Sequence, residues 1–253
     1  MRPRIIPCLL IQEESLVKTV KFKNPVYVGD PINAVKIFSE KEVDELILLD
    51  ITHGGRHQRP ALSLISEIAG ECFMPLCYGG GIGSLADIER LFRIGIEKIS
   101  INSNAVRNPD LVEEASRLFG SQSIVVSIDV KKDPFGKYEV FIDGGRTKTG
   151  FYPIDFAKKM EEKGAGEILL TSIDRDGIMQ GYDIELIKTI SQAVRIPVIA
   201  CGGAGMLGDF QSAIREGGAS AAAAGSFFVF FGKHKAVLIT YPEPQDLEEA
   251  LCW

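Results

Sequence analysis

The sequence predicts a (β/α)₈ barrel, in which eight parallel strands alternate with helices and close into a ring. Eight short, continuous apolar runs recur along the chain, and segments with a helical period separate most of them. Apolar runs without polar alternation are typical of strands that are covered on both faces, as in parallel sheets. Eight strands in 253 residues is the count of this barrel. The alternative, a doubly wound open sheet, usually has fewer strands and one dominant glycine-rich loop.

The strand predictions follow the apolar runs in chain order. Each run is short, which favours a strand over a buried helix. The predicted strands are Ile5–Leu10, Leu46–Leu49, Pro75–Tyr78, Ile99–Ile101, Ile124–Ile128, Ile168–Leu170, Ile196–Cys201 and Ala219–Ala224.

The helix predictions rest on apolar residues spaced near 3.6 and on residues that begin and end helices. Ser84 and the Asn108–Asp110 segment are typical of N-terminal caps. Gly95, Gly120, Gly164 and Gly217 stand where a helix C-terminus needs a left-handed residue. The predicted helices are Pro31–Ser39, Ala61–Ala69, Ser84–Ile94, Pro109–Phe119, Pro153–Lys163, Asp183–Ala193 and Leu207–Glu216.

An internal repeat favours the closed barrel over the open sheet. Glu45–Leu49 matches Glu167–Thr171, and the Gly80-Gly81 pair matches Gly202-Gly203, each at a spacing of 122 positions. Gly95 and Gly217 have the same spacing. Two copies of a four-strand unit close a barrel with approximate two-fold symmetry. We therefore expect one domain, residues 1–253, with half-barrels at about 1–120 and 121–253.

Composition and charge exclude several classes of function. A net charge of −6 gives no electrostatic footprint for nucleic acid. The chain has no apolar run long enough for a membrane span, and the apolar run near its start is too short for a signal peptide. Five irregularly spaced cysteines indicate buried thiols in a reducing cytoplasm. The three histidines show no metal-ligand spacing, so we expect neither a metal nor an organic cofactor.

Loops after four of the predicted strands, glycine-rich after the third and the seventh, predict two phosphate sites. In such barrels ligands bind at the carboxyl ends of the strands. Glycines let backbone N–H groups approach an anion, and a following helix N-terminus adds partial positive charge. The alternative is that these glycines only make tight turns. The first cradle is Gly80, Gly81, Asn102 and Ser103, and the second is Gly202, Gly203, Gly225 and Ser226.

Carboxylates at strand ends are the candidates for acid–base chemistry. Asp129 ends the fifth strand, Asp50 ends the second, and Asp174 and Asp176 follow the sixth. A carboxylate at such a position can act as a general acid or base. For Asp174 a cap or an ion pair is an equal alternative. Alignment of the first and fifth strands places Leu10 opposite Asp129, so a mechanism with two carboxylates lacks one of them.

Four charged residues begin the first, second, fourth and sixth strands: Arg4, Glu45, Lys98 and Glu167. Charges inside a barrel must pair, because an unpaired buried charge costs several kcal/mol. One interpretation is a structural plug at the barrel base. The other is a gate through which a small molecule enters the barrel axis.

These residues together resemble the cyclase subunit of imidazole glycerol phosphate synthase over roughly residues 4–231. That resemblance implies a barrel whose N-terminal face binds a glutamine amidotransferase subunit. Ammonia released there passes through the barrel and reacts with a phosphorylated aminoimidazole ribonucleotide, a lyase-type synthesis in histidine biosynthesis. The matching segments are Arg4–Leu9, Asp44–Leu46, Leu49–Thr52, Gly79–Ile82, Lys98–Asn102, Phe119–Gln122, Gly164–Gly177 and Gly202–Gly205.

The resemblance also assigns roles to the residues found above. The four base residues match the ammonia gate, the two cradles match the phosphate sites, and Asp129 matches one of two catalytic aspartates. Lys18 is retained at the mouth, beside Asp50, Asp174 and Asp176. The glutaminase is expected to dock near Arg4, Glu45, Glu97, Lys98 and Gln122.

The departures from the family pattern indicate a paralogous group. The second catalytic aspartate falls on Leu10, and the first loop lacks the family's usual glycine. A strand-like run replaces the last helix. Leu10, Val26–Pro31 and Gly232–Pro242 are similar to a group that serves acetamidino modification of surface-polysaccharide sugars, with a glutaminase and an ATP-dependent sugar amidotransferase as partners.

Three hypotheses follow from these observations. The first is an ammonia-conducting subunit for sugar amidination. The second is a true histidine-pathway cyclase with altered acid–base residues, and the third is a non-catalytic scaffold that binds a partner and a phosphorylated ligand.

Overall fold

The barrel consists of eight parallel strands that close on themselves. The computed structural model describes residues 2–52 and 59–251. Pairing runs from β1 through β4, β5, β6, β7, β10, β11 and β12 and back to β1, which confirms the predicted fold. The strands are β1 (Arg4–Gln12), β2 (Ser15–Val20), β3 (Lys23–Gly29), β4 (Leu46–Asp50), β5 (Leu76–Gly79), β6 (Lys98–Ile101), β7 (Ile124–Lys132), β8 (Tyr138–Ile142), β9 (Thr147–Lys148), β10 (Glu167–Ser172), β11 (Val198–Cys201), β12 (Ala221–Ala224), β13 (Phe230–Phe231) and β14 (Ala236–Val237).

Helices cover the outside of the barrel. Most of them present a buried apolar stripe to the strands, and a short 3₁₀ turn at Ser121–Ser123 leads into β7. The helices are α1 (Pro31–Glu40), α2 (Leu62–Gly70), α3 (Leu85–Arg93), α4 (Ser103–Arg107), α5 (Asp110–Phe119), α6 (Pro153–Glu162), α7 (Ile184–Ser191), α8 (Leu207–Arg215), α9 (Ser226–Val229) and α10 (Pro244–Leu251).

The internal repeat is visible in the element boundaries. Helices α3 and α8 start and end 122 residues apart, and so do strands β5 and β11. Each half therefore places its glycine pair at an equivalent point of the barrel mouth.

Some local predictions hold and two need correction. The Ser84 hydroxyl accepts the Asp87 N–H and caps α3 as expected. By contrast, no side chain caps α5. This helix begins at Asp110, and Pro109 occupies its N-cap position. The left-handed residue after α8 is Gly218 and not Gly217, and Gly217 is instead a position where a Cβ would collide with the Ala213 carbonyl oxygen and the Ile187 side chain.

Three antiparallel hairpins extend the carboxyl ends of barrel strands. Strand β2 pairs with β1 and β3, β8 pairs with β7 and β9, and β13 pairs with β14 after β12. The sequence predicted only a strand-like run at the C-terminus. That run is a short hairpin, and a final helix, α10, still follows it and packs against α8. The expectation that a strand-like run replaces the last helix is therefore wrong, because a helix follows the hairpin.

The core has two layers, one outside and one inside the barrel. The outer layer lies between strands and helices and includes Phe38, Phe156 and Phe210. The inner layer fills the barrel axis with Ile6, Cys8, Ile47, Cys77, Val125, Leu169, Ile199, Ala221 and Ala223. Cys8, Cys72, Cys77 and Cys201 are free thiols, whereas Cys252, His53 and His57 lie outside the described residues. Within residues 2–52 and 59–251, no helix is long and apolar enough to cross a membrane.

Candidate functional site

A cavity of about 1200 Å³ opens at the carboxyl ends of the barrel strands. The structure brings nearly all of the predicted mouth residues to its walls. They are Lys18, Asp50, Asp129 and Asp176 together with Gly80, Gly81, Asn102, Ser103, Gly202, Gly203, Gly225 and Ser226. Asp174 is the exception, since it does not line the cavity and its carboxylate accepts the backbone N–H of Lys132 at 2.9 Å.

Asp129 is the most perturbed acid in the cavity. It lies on β7 and is 8% exposed, and the Asn102 side-chain amide donates to its Oδ2 at 3.1 Å. Burial, with a smaller contribution from the charge of Asp176, raises the pKa of Asp129 to about 7. A carboxyl group with this pKa can give or take a proton near neutral pH, as general acid–base catalysis requires.

Lys18 lies below the second cradle. Its Nζ donates to the Cys8 carbonyl oxygen at 2.8 Å, and burial lowers the pKa of the amine. A side chain at Gly225 would overlap Lys18 Nζ and would lie 2.8 Å from the same carbonyl oxygen. Gly225 is therefore needed for Lys18 to reach this position, whatever else the cradle binds.

Asp176 fastens the β2–β3 hairpin to the loop after β10. Its Oδ2 accepts the Thr19 hydroxyl at 2.8 Å and the Phe22 backbone N–H at 3.1 Å. Burial raises the pKa of Asp176, and these hydrogen bonds oppose that shift. In this structure the carboxylate positions the hairpin over the mouth.

The carboxylate of Asp50, at the first cradle, already has hydrogen-bond contacts with neighbouring residues. Its carboxylate accepts the Thr52 backbone N–H at 2.9 Å and lies 3.5 Å from the Tyr78 hydroxyl. Gly80 has a φ of +128°, and a Cβ at that position would collide with the backbone of Asp50. The second cradle has the equivalent constraint, because a Cβ on Gly203 would collide with the Gly181 carbonyl oxygen. Local packing thus accounts for part of the glycine pattern, and phosphate binding remains a prediction.

The hydrogen bonds of the Asn102 side chain were not predicted from the sequence. Its amide donates to the Ser127 carbonyl oxygen at 3.0 Å as well as to Asp129. The neighbouring Ser103 hydroxyl accepts the Asp143 backbone N–H at 3.1 Å. The adjacency of the fourth and fifth predicted strands was the available signal, since it places Asn102 beside Asp129.

Leu10 occupies the wall of the cavity on β1. It is half-buried, and its register partners are Val17 on β2 and Leu49 on β4. Strands β1 and β7 lie opposite each other in the closed ring, so Leu10 and Asp129 face the same cavity from opposite walls. The Leu10 side chain can neither donate nor accept a proton.

The four charged residues at the barrel base form a closed ion-pair ring, defined as Arg4, Glu45, Lys98 and Glu167. Arg4 pairs with Glu45 and, at 2.6 Å, with Glu167. Lys98 Nζ lies 3.0 Å from Glu45 and 2.9 Å from Glu167. Burial alone would lower the pKa of Lys98, but the two carboxylates outweigh it and hold the pKa above its ordinary value. The Lys98 amine of the ring therefore stays charged near neutral pH.

One carboxylate oxygen of the ring has no hydrogen-bond partner in the part of the chain that the structure describes. Glu45 is 2% exposed, and its Oε1 has no hydrogen-bond partner among the described residues. Further along the barrel the buried Ser100 hydroxyl is in the same condition. Buried polar atoms usually have hydrogen-bond partners, so these two atoms are available to bind a small polar molecule in the barrel axis. Across residues 2–52 and 59–251, no cluster of three or more histidine, cysteine or acidic residues could hold a metal ion.

Comparison with known proteins identifies the class to which this barrel belongs. A family model described as "Histidine biosynthesis protein" matches residues 4–235. The chain belongs to this family. Within it, the chain is a cyclase-like subunit of the imidazole glycerol phosphate synthase type.

The relatives that support this assignment cover almost the whole chain. A Pseudomonas aeruginosa protein, provisionally named imidazole glycerol phosphate synthase subunit hisF2, is 52% identical over 98% of this chain and 99% of its own. A Vibrio vulnificus protein, provisionally named subunit hisF3, is 48% identical over 99% of this chain and 97% of its own. The imidazole glycerol phosphate synthase subunit HisF of Alkaliphilus metalliredigens is 46% identical over 89% of each chain.

Proposed function

We propose that the chain conducts ammonia for a glutamine-dependent system that forms acetamidino sugars in surface-polysaccharide biosynthesis, such as lipopolysaccharide O-antigen. One observation carries the proposal. The ion-pair ring at the base is complete, whereas the mouth has Leu10 where the family's second catalytic aspartate stands. The entry point for ammonia is therefore kept, whereas the pair of carboxyl groups that would close the imidazole ring of the product is not.

The barrel interior suits passage of a neutral molecule. Above the ring the axis is lined by apolar side chains such as Ile47, Val125 and Leu169. An ion would lose its hydration there at a cost of several kcal/mol, whereas neutral ammonia loses much less. The free acceptor Glu45 Oε1 and the Ser100 hydroxyl offer hydrogen bonds along the way.

The source of the ammonia is a glutaminase bound at the N-terminal face. This face carries the ion-pair ring and its flanking residues Glu97 and Gln122. The acceptor is an ATP-dependent sugar amidotransferase, and a small phosphorylated ligand occupies the mouth cradles. The system operates in the cytoplasm.

A second candidate function is the histidine-pathway cyclase itself. Asp129, with its pKa near 7, and the two glycine cradles favour it. Loss of one general acid or base typically lowers a rate by about 10²–10⁴, which leaves residual activity detectable.

The deciding experiment measures turnover of the cyclase family's ribonucleotide substrate by the purified chain in excess ammonium, without a partner. We expect none above background. Addition of the glutaminase should then raise glutamine hydrolysis, and addition of the amidotransferase should yield amidinated sugar from glutamine. Clear ribonucleotide turnover would instead support the histidine-pathway cyclase. Unchanged product formation by a Lys98→Ala variant would favour the scaffold hypothesis.

A further inference from the structure

Large apolar side chains are exposed mainly on one face of this protein. Among the described residues, eleven of them are exposed, and only Phe73 and Leu118 lie toward the N-terminal face. Soluble proteins rarely expose many apolar side chains together unless another molecule covers them. The nine around the carboxyl ends of the strands are Val20, Val26, Tyr27, Phe135, Tyr152, Met206, Phe231, Val237 and Leu238.

Most of these nine belong to the three hairpins β2–β3, β7–β8 and β13–β14, which we name the mouth rim. The tip of β7–β8 is ordered by Asp133, whose Oδ1 accepts the N–H groups of Phe135 and Lys137 at 2.8 and 2.9 Å. Phe135 is nevertheless 90% exposed. The last hairpin is fixed at its base by a 2.8 Å hydrogen bond from the Leu238 N–H to the Val229 carbonyl oxygen. The exposed side chains thus stand on hydrogen-bonded supports.

The mouth rim is also basic, although the whole chain is acidic. Each hairpin carries two exposed lysines. Neither Ser15–Gly29 nor Phe230–Leu238 contains an acidic residue, whereas the chain as a whole has a net charge of −6. A second copy of this rim would be repelled by the first, so the charge favours a different partner with an acidic contact face. The lysines are Lys21, Lys23, Lys132, Lys137, Lys233 and Lys235.

From these observations we infer that the mouth rim is the docking surface for the enzyme that consumes the ammonia. This inference rests on the proposed function. Ammonia released into water at neutral pH is mostly protonated and is then no longer a nucleophile, so the exit of a conduit has to be covered by its acceptor. Phe135 and Phe231 stand on the hairpins that follow β7 and β12, two strands whose carboxyl ends line the cavity, so a partner that buries both side chains places its acceptor site beside the opening. The partner is a protein with an apolar and acidic face that activates a sugar amide with ATP.

The test measures binding of the purified ATP-dependent sugar amidotransferase to this chain without the glutaminase. Phe135→Asp and Phe231→Asp should each weaken binding tenfold or more. A Lys233→Glu/Lys235→Glu variant should also weaken it and reduce its salt dependence. The matched control is Phe73→Asp, because Phe73 is 86% exposed on the opposite face, and its binding should stay within twofold of wild type. Unchanged thermal melting shows that each variant is folded.

The second readout is coupling in the three-protein mixture. Mouth-rim variants should keep glutamine hydrolysis but release ammonia into the medium, and added ammonium should restore product. If the wild-type mixture makes no product from glutamine although the amidotransferase uses ammonium, the proposed function fails. If the wild type couples and the mouth-rim variants bind and couple equally well, only the docking inference fails. Self-association, or binding to anionic lipid vesicles in place of the amidotransferase, also overturns it.

Discussion

Replacement of Leu10 by aspartate is the sharpest test of the link between the mouth and its chemistry. Leu10 is half-buried on the cavity wall, and its partner Val17 is next to Lys18 in the β1–β2 pairing. An aspartate at this position would face Asp129 across the cavity, which Lys18 also lines.

The expected magnitude follows from the role of the missing group. A positioned general acid or base contributes about 10²–10⁴ in rate, which corresponds to about 3–5 kcal/mol of barrier. The substitution also removes a half-buried apolar side chain, whose burial is worth about 1 kcal/mol. We therefore expect Leu10→Asp to gain ammonia-dependent ribonucleotide turnover at least a hundredfold above wild type, with a modest loss of stability.

The assay follows product formation from the ribonucleotide in excess ammonium. Leu10→Asn is the matched control, since asparagine has nearly the same shape and cannot exchange a proton. An Asp129→Asn change in the Leu10→Asp background should abolish the gain. Equal turnover by Leu10→Asp and Leu10→Asn, or by Leu10→Asp and wild type, would refute the reasoning that one absent carboxyl group blocks the reaction.

Three further predictions concern stability. Burial raises the pKa of Asp129 from 3.8 to about 7, so the folded chain binds more protons than the unfolded chain between those values and stability falls as the pH rises through that window. In urea unfolding, the free energy of unfolding of Asp129→Asn should exceed that of wild type by about 2–4 kcal/mol at pH 8 and match it near pH 4. Equal pH profiles of the two proteins would contradict this. Lys98→Met leaves two ring carboxylates with one cation and should lower the free energy of unfolding by about 2–4 kcal/mol. This loss is smaller than for a fully buried pair, because Lys98 is 18% exposed. An unchanged unfolding midpoint would argue against a structural role of the ring. Gly225→Ala would displace Lys18 and should cost about 1–3 kcal/mol, whereas Gly208→Ala, within α8 and with open space around it, should stabilise by about 0.5–1 kcal/mol; similar effects of the two would disprove the steric argument.

The predictions that held share a physical basis in local pattern. Continuous apolar runs and a repeat at 122 positions specify the parallel barrel, because only strands buried on both faces need such runs. The ion-pair ring could be predicted as well, since each member stands at the start of a strand or, for Glu45, one residue before it, and the strand starts meet at one end of a barrel. Asp174 shows the opposite case. It stands in the same loop as Asp176, yet it turns away to the Lys132 backbone.

The sequence by itself therefore determined the barrel, its symmetry, the end at which each charged residue lies and the absence of a carboxyl group at Leu10. Only the tertiary structure decided how side chains share partners: that Asp176 holds the β2–β3 hairpin, that Asn102 bonds to Asp129, and that three hairpins carry the exposed apolar side chains. The physical reason is range. Strand and helix patterns depend on neighbours a few residues away, whereas these contacts join residues that are tens to more than a hundred positions apart and depend on how loops pack.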